Sequence, residues 1–278
     1  MNPINAAAQP ALPVFVDAHV HIYPPVGLES VFAAVLDNVR EPPRRSVLVL
    51  ADPGGVDGFG RLRALGNRES RPSVLPGWTV QSTGSDQVGF RHDDGSSIVF
   101  LNGRQLVTAE GLEVLAVGAD NSLRDNLSLS RTLGAVRARG GLSAIAWGVG
   151  KWLGRRGRLV SEAVRAEAGS SDVVLGDNGG RPWWWAKVPQ FDLAAEVGMR
   201  ILPGSDPLPI RGDEKRIASY GFEIALAGET EEELPAMLKS ALGNPSFQIR
   251  VRGKRVGTWR FGSNQIRVRA ESSRFMNG

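Results

Sequence analysis

The stretch VFVDAHVHIYP, residues 14–24, decides how the chain is read. Its opening is apolar and β-branched, so Pro13–Asp17 reads as a first strand. Strand side chains alternate with period two, which would project Asp17, His19 and His21 to one side. Two imidazoles at that spacing can bind one cation together, or two cations held close by. The whole chain has three histidines, and two of them fall at the end of this one strand. The plainer alternative is a polar pair facing solvent at a strand end.

Outward from this stretch, short apolar runs alternate with segments of helical period, the pattern of βα units around a parallel sheet. Leu28, Val31, Phe32, Val35, Leu36 and Val39 fall on one helical face. Ser46–Ala51 reads as a buried second strand, apolar throughout. Further strands are expected near Leu112–Val117, Leu142–Trp147, Asp172–Leu175 and Met199–Leu202. A helix is expected over Glu231–Leu242, opened by a capping-box pattern at Thr230 and Glu233. Residues 78–108 break the rhythm: they alternate and carry turn signals at 83–86, 92–95 and 102–103, which predicts an inserted antiparallel meander. Residues 247–268 read as basic strands turning at Arg252-Gly253-Lys254. About six or seven central strands result, enough for a closed or distorted barrel. The whole chain, 1–278, is read as a single domain.

Composition narrows the function. Hydrophobic residues make up 42% and charged residues 22%, which supports a sizeable core and argues against disorder. There is no cysteine, so disulfides, thiolate metal sites and cysteine nucleophiles are excluded. The opening MNPINAAAQPALPVF lacks both a basic n-region and a continuous apolar h-region, and no apolar run approaches the roughly 18 residues of a membrane helix. The expectation is a soluble, cytoplasmic protein with no membrane partner. Net charge is +4 and the pI about 9.8, with the excess gathered at 151–158 and 250–274. That balance suits an anionic partner. No recognisable nucleic-acid reading module is present, so a small, phosphorylated molecule is expected rather than nucleic acid. The oligomeric state stays open.

Four carboxylates are read at strand ends, each following an apolar run: Asp52, Glu113, Asp177 and Asp206. Converging with imidazoles, they would make a site for Zn, Mn or Fe, one or two ions. Each alone could equally cap a helix or sit in a turn. Residues 147–159, WGVGKWLGRRGRL, offer Lys151, Arg155, Arg156 and Arg158 to hold a phosphate or carboxylate, with Trp147 and Trp152 to wall a substrate. A solvated basic loop with inward tryptophans is the alternative, and Trp183-Trp184-Trp185 is open to the same two readings. His92, beside Asp93 and Asp94, reads as an exposed turn residue. No P-loop, dinucleotide fingerprint or G-x-S-x-G elbow occurs.

The order of these motifs resembles the PHP (polymerase and histidinol phosphatase) family and, more distantly, the amidohydrolases. The H-x-H strand is matched by His19 and His21. The family's D-H falls on Asp52 and Pro53, its glutamate on Glu113, its His-Pro on Trp147 and Gly148, and its S-D-x-H on Ser205, Asp206, Pro207 and Leu208. The resemblance spans residues 14–210. It implies an α/β fold, a distorted (β/α)7 TIM-like barrel with the inserted meander at 78–108 and a short basic β tail at 247–278. It also implies a metal cluster at the mouth. Pro53, Trp147 and Leu208 replace three histidines, so a trinuclear cluster is not expected. One ion, or at most two, would remain on His19, His21, Glu113 and Asp206.

The implied function is a metal-dependent hydrolase of a phosphoester. Asp206 would serve as ligand or base, Asp177 as a further catalytic carboxylate, and Lys151, Arg155 and Arg156 would meet substrate charge. Asp17 and Asp52 would support the ligands from behind, Asp17 by orienting an imidazole. The alternatives are a catalytically degenerate barrel that binds an anionic ligand or a protein, and an amidohydrolase acting on a C–N bond.

Overall fold

The computed structural model describes residues 12–24, 26–39, 45–66, 75–118, 122–226, 233–244, 247–259 and 261–263. In chain order the elements are β1 (Leu12–Val20), α1 (Leu28–Asn38), β2 (Arg45–Leu50), α2 (Gly58–Gly66), β3 (Trp78–Thr83), β4 (Gln87–His92), β5 (Ser97–Leu101) and β6 (Gly103–Val107). There follow β7 (Glu113–Val117), α3 (Leu129–Arg137), β8 (Leu142–Ala146), α4 (Gly154–Ala166), β9 (Val173–Asn178), α5 (Pro189–Glu196), β10 (Ile201–Gly204), β11 (Tyr220–Leu226), α6 (Leu234–Gly243) and β12 (Ile249–Gly253). Among the described residues no helix is long and apolar enough to cross a membrane.

The strands form two sheets, ordered β12-β11-β1-β2-β5-β4-β3 and β10-β9-β8-β7-β6. Both contribute to one apolar cluster: Val14, Val16, Val47 and Val49 from the larger sheet meet Leu115, Ala144, Val174 and Leu202 from the smaller, with Leu238 and Leu242 of α6 joining them. The opposite strand faces are covered by helices. Phe32 and Val35 of α1 and Leu62 of α2 pack on Leu48, Leu50 and Phe100. Leu133 of α3, Val160 and Val164 of α4 and Ala194 of α5 pack on Val114, Ile145 and Leu175. The continuous apolar character of β2 follows, because its alternate residues enter different clusters and both of its faces are buried.

The closed seven-stranded barrel expected from the motifs is not what the described strands form. The insertion is antiparallel through β3, β4 and β5, but β5 also pairs in parallel with β2, from Arg45↔Ser97 to Val49↔Leu101. The meander therefore occupies the hydrogen-bonding edge of β2 and extends the sheet instead of lying beside a closed one. The link from β6 to β7, residues 108–112, is too short for a parallel crossover, and the pair is antiparallel. β7 with β8 and β1 with β11 are antiparallel as well. The two sheets touch at an isolated Asp52↔Arg104 bridge and where Asp206 N donates to His19 O at 2.8 Å.

The helix expected near Glu231 is α6, while Thr230 of its proposed cap lies outside the described residues. Of the basic tail, β12 pairs antiparallel with β11. Residues 264–278 lie outside the described residues.

Candidate metal centre

A register slip in β1 aims the two histidines. Asp17 pairs with Leu48 and Val20 with Leu50, so β1 uses one residue more than β2 between the same rungs. Such a bulge inverts the side-chain alternation. Val14, Val16 and Ala18 enter the cluster between the sheets, whereas Val20 and Ile22 enter the one beneath α1 and α2. His19 and His21 are left facing the other way, both about 5% exposed. Their Nε2 atoms lie 3.0 Å apart.

Asp206 completes the group from the loop after β10. Its Oδ1 stands 3.5 Å from His19 Nε2 and 3.2 Å from His21 Nε2. The close approach of β10 to β1 requires Gly204, because a Cβ there would lie 2.5 Å from both Cβ and N of His19. Asp206 has a φ of 46°, in the left-handed region that a non-glycine residue occupies at some cost. This bend turns its carboxylate toward the imidazoles. Asn178 donates to Oδ2 and also to Trp147 O. Arg216 supports the same loop by donating to Ser205 O at 2.8 Å.

Adjacent ligands about 2.1 Å from a single ion are separated by about 3.0 Å in octahedral and about 3.4 Å in tetrahedral geometry. The three separations here, 3.0, 3.2 and 3.5 Å, span that range. Burial pushes His19 down, against the attraction of Asp206, and the nearby His21 pushes it further. A neutral imidazole keeps a lone pair for a cation. Burial pushes Asp206 up, but His19, His21 and Arg216 outweigh it and hold the carboxyl well below its ordinary range. Two imidazole nitrogens and a carboxylate oxygen together fit a borderline divalent cation such as Zn, Mn or Fe.

The remaining residues singled out in the sequence have other neighbours. Glu113 opens β7 instead of closing a strand. Because β7 runs antiparallel to β8, with Glu113 opposite Ala146, its carboxylate still reaches the edge where β8 ends. There it forms an ion pair with Lys151. It stands outside the three-donor group of His19, His21 and Asp206. Asp177 is held by Arg181 in a bidentate pair, both N–O distances 2.7 Å, and accepts from the Tyr220 hydroxyl at 2.7 Å.

Asp17 contacts no imidazole nitrogen by hydrogen bond; it accepts the backbone N–H of His19, Ser205 and Ala218 at 3.2, 2.8 and 2.9 Å. Complete burial nevertheless pushes its carboxyl up to about 6. Asp52 accepts from Phe59 N at the start of α2, and burial raises its pKa despite that bond.

The basic stretch becomes a turn and the first turns of α4. Arg155 and Arg158 are exposed, and Arg156 donates to Gly150 O. Trp147 and Trp152 are buried in the cluster between β8, α4 and α5, where Trp152 Nε1 donates to Ala146 O at 3.0 Å. They help line a cleft of about 280 Å³ with Trp185, Arg158 and Gln190, and none of the three donors belongs to it. Of the tryptophan run, Trp183 and Trp184 are exposed and Trp185 packs edge-on to Trp147. His92 pairs with Asp94 at a hairpin turn.

Four residues at the centre went unread in the sequence. Tyr23 continues the period-two series His19, His21, Tyr23, and its ring lies 5.3 Å from that of His21. Burial and the charges of Asp206, Glu113 and Asp52 keep its hydroxyl protonated. Asn178 was available as the alternate neighbour of Asp177 on one strand. Gln105, whose side chain comes near His19, and Arg216 carry no local signal.

No protein-family model matches the sequence, and no curated protein matches it. Among solved structures, PsfC from Pseudomonas syringae PB-5123 superposes with a TM-score of 0.57 at 15% identity, over 95% of this chain and 99% of that one. The lesion-specific endonuclease PfuEndoQ from Pyrococcus furiosus superposes with a TM-score of 0.51 at 12% identity, over 86% of this chain and 58% of that one. These likenesses are of fold.

Proposed function

We propose that the protein is a metal-dependent hydrolase of a phosphoester. The observation that carries this reading is the buried convergence of His19 Nε2, His21 Nε2 and Asp206 Oδ1, all within 4.8 Å of one another. A fold neighbour that is a lesion-specific endonuclease is in keeping with phosphoester chemistry.

When bound, a divalent ion supplies acidification of a water molecule and polarisation of the oxygen under attack. The chain's own residues do the rest. His19 and His21 bind through Nε2. Asp206 would be the third ligand, through the Oδ1 that faces both imidazoles. Asn178 orients Asp206 by donating to Oδ2. The protonated Tyr23 hydroxyl is a donor for a substrate oxygen. From the start of α4, the exposed Arg155 provides a cation for an anionic, phosphorylated small molecule.

Elemental analysis of protein purified without chelator tests the reading. Near-stoichiometric transition metal is expected, lost in the His19→Ala/His21→Ala double variant. Phosphomonoesters and phosphodiesters assayed with added Mn or Zn should show turnover that needs the metal. Metal-free protein that also fails to take up Mn, Zn or Fe on titration would refute it.

A further inference from the structure

The Glu113–Lys151 pair lies at the same sheet edge as the three donors. Glu113 is opposite Ala146, and the next residue, Trp147, offers its carbonyl to the Asn178 amide that also holds Asp206. Glu113 is near enough to act electrostatically on His19. Its carboxylate is engaged by Lys151.

The lysine is placed deliberately by the backbone. Lys151 N donates to Gly148 O at 3.0 Å, closing a turn that folds residue 151 back over the end of β8. Its aliphatic stem then lies on Gly148: a Cβ there would stand 2.7 Å from Lys151 Cδ and 3.2 Å from Cγ. A Cβ there would push the stem off this path, which ends at Glu113.

Four protein ligands close the shell of a tetrahedral ion, as in structural sites, whereas three leave a position for water or substrate, as in catalytic ones. We propose that Lys151, by engaging Glu113, keeps that carboxylate off the ion bound by His19, His21 and Asp206, so that one coordination position stays open. Lys151 is a positioning residue in this scheme, acting through Glu113. The inference rests on the metal-binding reading given above.

Cobalt(II) reports both affinity and openness through its visible absorption, with azide as the probe of an exchangeable position. In the wild type, azide should change the spectrum. In Lys151→Met the freed Glu113 should join the ion, so that affinity measured by chelator competition tightens by about tenfold or more and the azide response disappears. Lys151→Met combined with Glu113→Gln should restore wild-type behaviour in both respects. Gly148→Ala, which displaces the lysine stem without removing its charge, should shift affinity the same way and serves if Lys151→Met does not fold. Unchanged affinity and azide response in Lys151→Met would overturn the inference. So would Glu113→Gln alone weakening binding as much as Asp206→Asn, because Glu113 would then already be a ligand. A wild type that binds no cobalt at all overturns the metal reading itself, an outcome distinct from either.

Discussion

Gly204→Ala is the most direct test of how the centre is assembled. The new Cβ would meet His19 Cβ and N at 2.5 Å, against about 3.5 Å for an ordinary contact, so β10 and β1 must separate by about 1 Å. The obstacle is backbone on both sides and cannot swing away. The cost should fall at the upper end of overpacking, roughly 3 kcal/mol, which corresponds to a loss of roughly 5–10 °C in Tm for a chain of this size. The same displacement stretches the 2.8 Å bond from Asp206 N to His19 O beyond hydrogen-bond range. It also carries Oδ1 away from the two Nε2 atoms. Ligand positions must hold to about 0.2 Å, so metal affinity should drop by at least about tenfold. Thermal denaturation of chelated protein reads the first effect and competition with a chromophoric chelator the second. Gly134→Ala is the control: its Cβ meets nothing within 4 Å inside α3, so it should stabilise by roughly 0.5–1 kcal/mol. A Gly204→Ala protein with the wild-type Tm and affinity would refute the reasoning.

Three further outcomes are expected. Asn178→Leu should weaken metal binding by about 10–100-fold, because the lost amide orients Asp206, and should also lower Tm, because Trp147 O and Gly180 N lose their partner; unchanged metal affinity would show that Asn178 acts on the fold alone. Asp17, raised to about 6 when folded, stabilises the fold most below its unfolded value near 3.8, and that contribution fades as pH rises through about 6. The stability difference between wild type and Asp17→Asn, followed by urea unfolding, should therefore move against the wild type by roughly 2–3 kcal/mol between pH 4 and 7, and a flat difference would contradict it. Tyr220→Phe removes a buried donor to Asp177 and should cost roughly 1–2 kcal/mol of stability while leaving metal affinity unchanged; a loss of metal would place Asp177 in the centre after all.

Periodicity made the helical layers legible. All six residues of the expected helical face, Leu28 to Val39, lie in the cluster beneath α1, because a surface helix over a sheet has one apolar side and sequence records it directly. The meander was legible from its turns through β5, as at His92–Ser96, where the backbone closes a hairpin, whereas the turn signal at 102–103 leads into β6, which joins the smaller sheet. What local pattern does not record is which edge a strand pairs with. Nothing in SIVFL states that it would lie parallel to β2, and that single pairing sets the sheet order that replaces the expected barrel.

The candidate site divides along the same line. His19 and His21 were legible because two of the chain's three histidines share one strand end. The period-two argument nonetheless places Asp17 with them, and it fails for a physical reason. The bulge between Asp17 and Val20 inserts one residue, so positions before it and after it belong to opposite faces. A bulge leaves no compositional trace in VDAHV; it follows from the neighbour strand, whose Leu48 and Leu50 must both reach the cluster beneath α1. Asp177 and Asn178 show the converse. Alternation along β9 was intact, with Val174 inward and Val173 and Leu175 outward, so phase alone assigns Asn178 to the inner side and Asp177 to the outer. Preference for a charged residue over its neutral neighbour selected Asp177, on the side of the strand away from His19, His21 and Asp206. The amide holds Asp206, and the carboxylate is taken up by Arg181 and Tyr220. For a residue near a strand end, the phase of the alternation therefore constrains its role before its chemistry does.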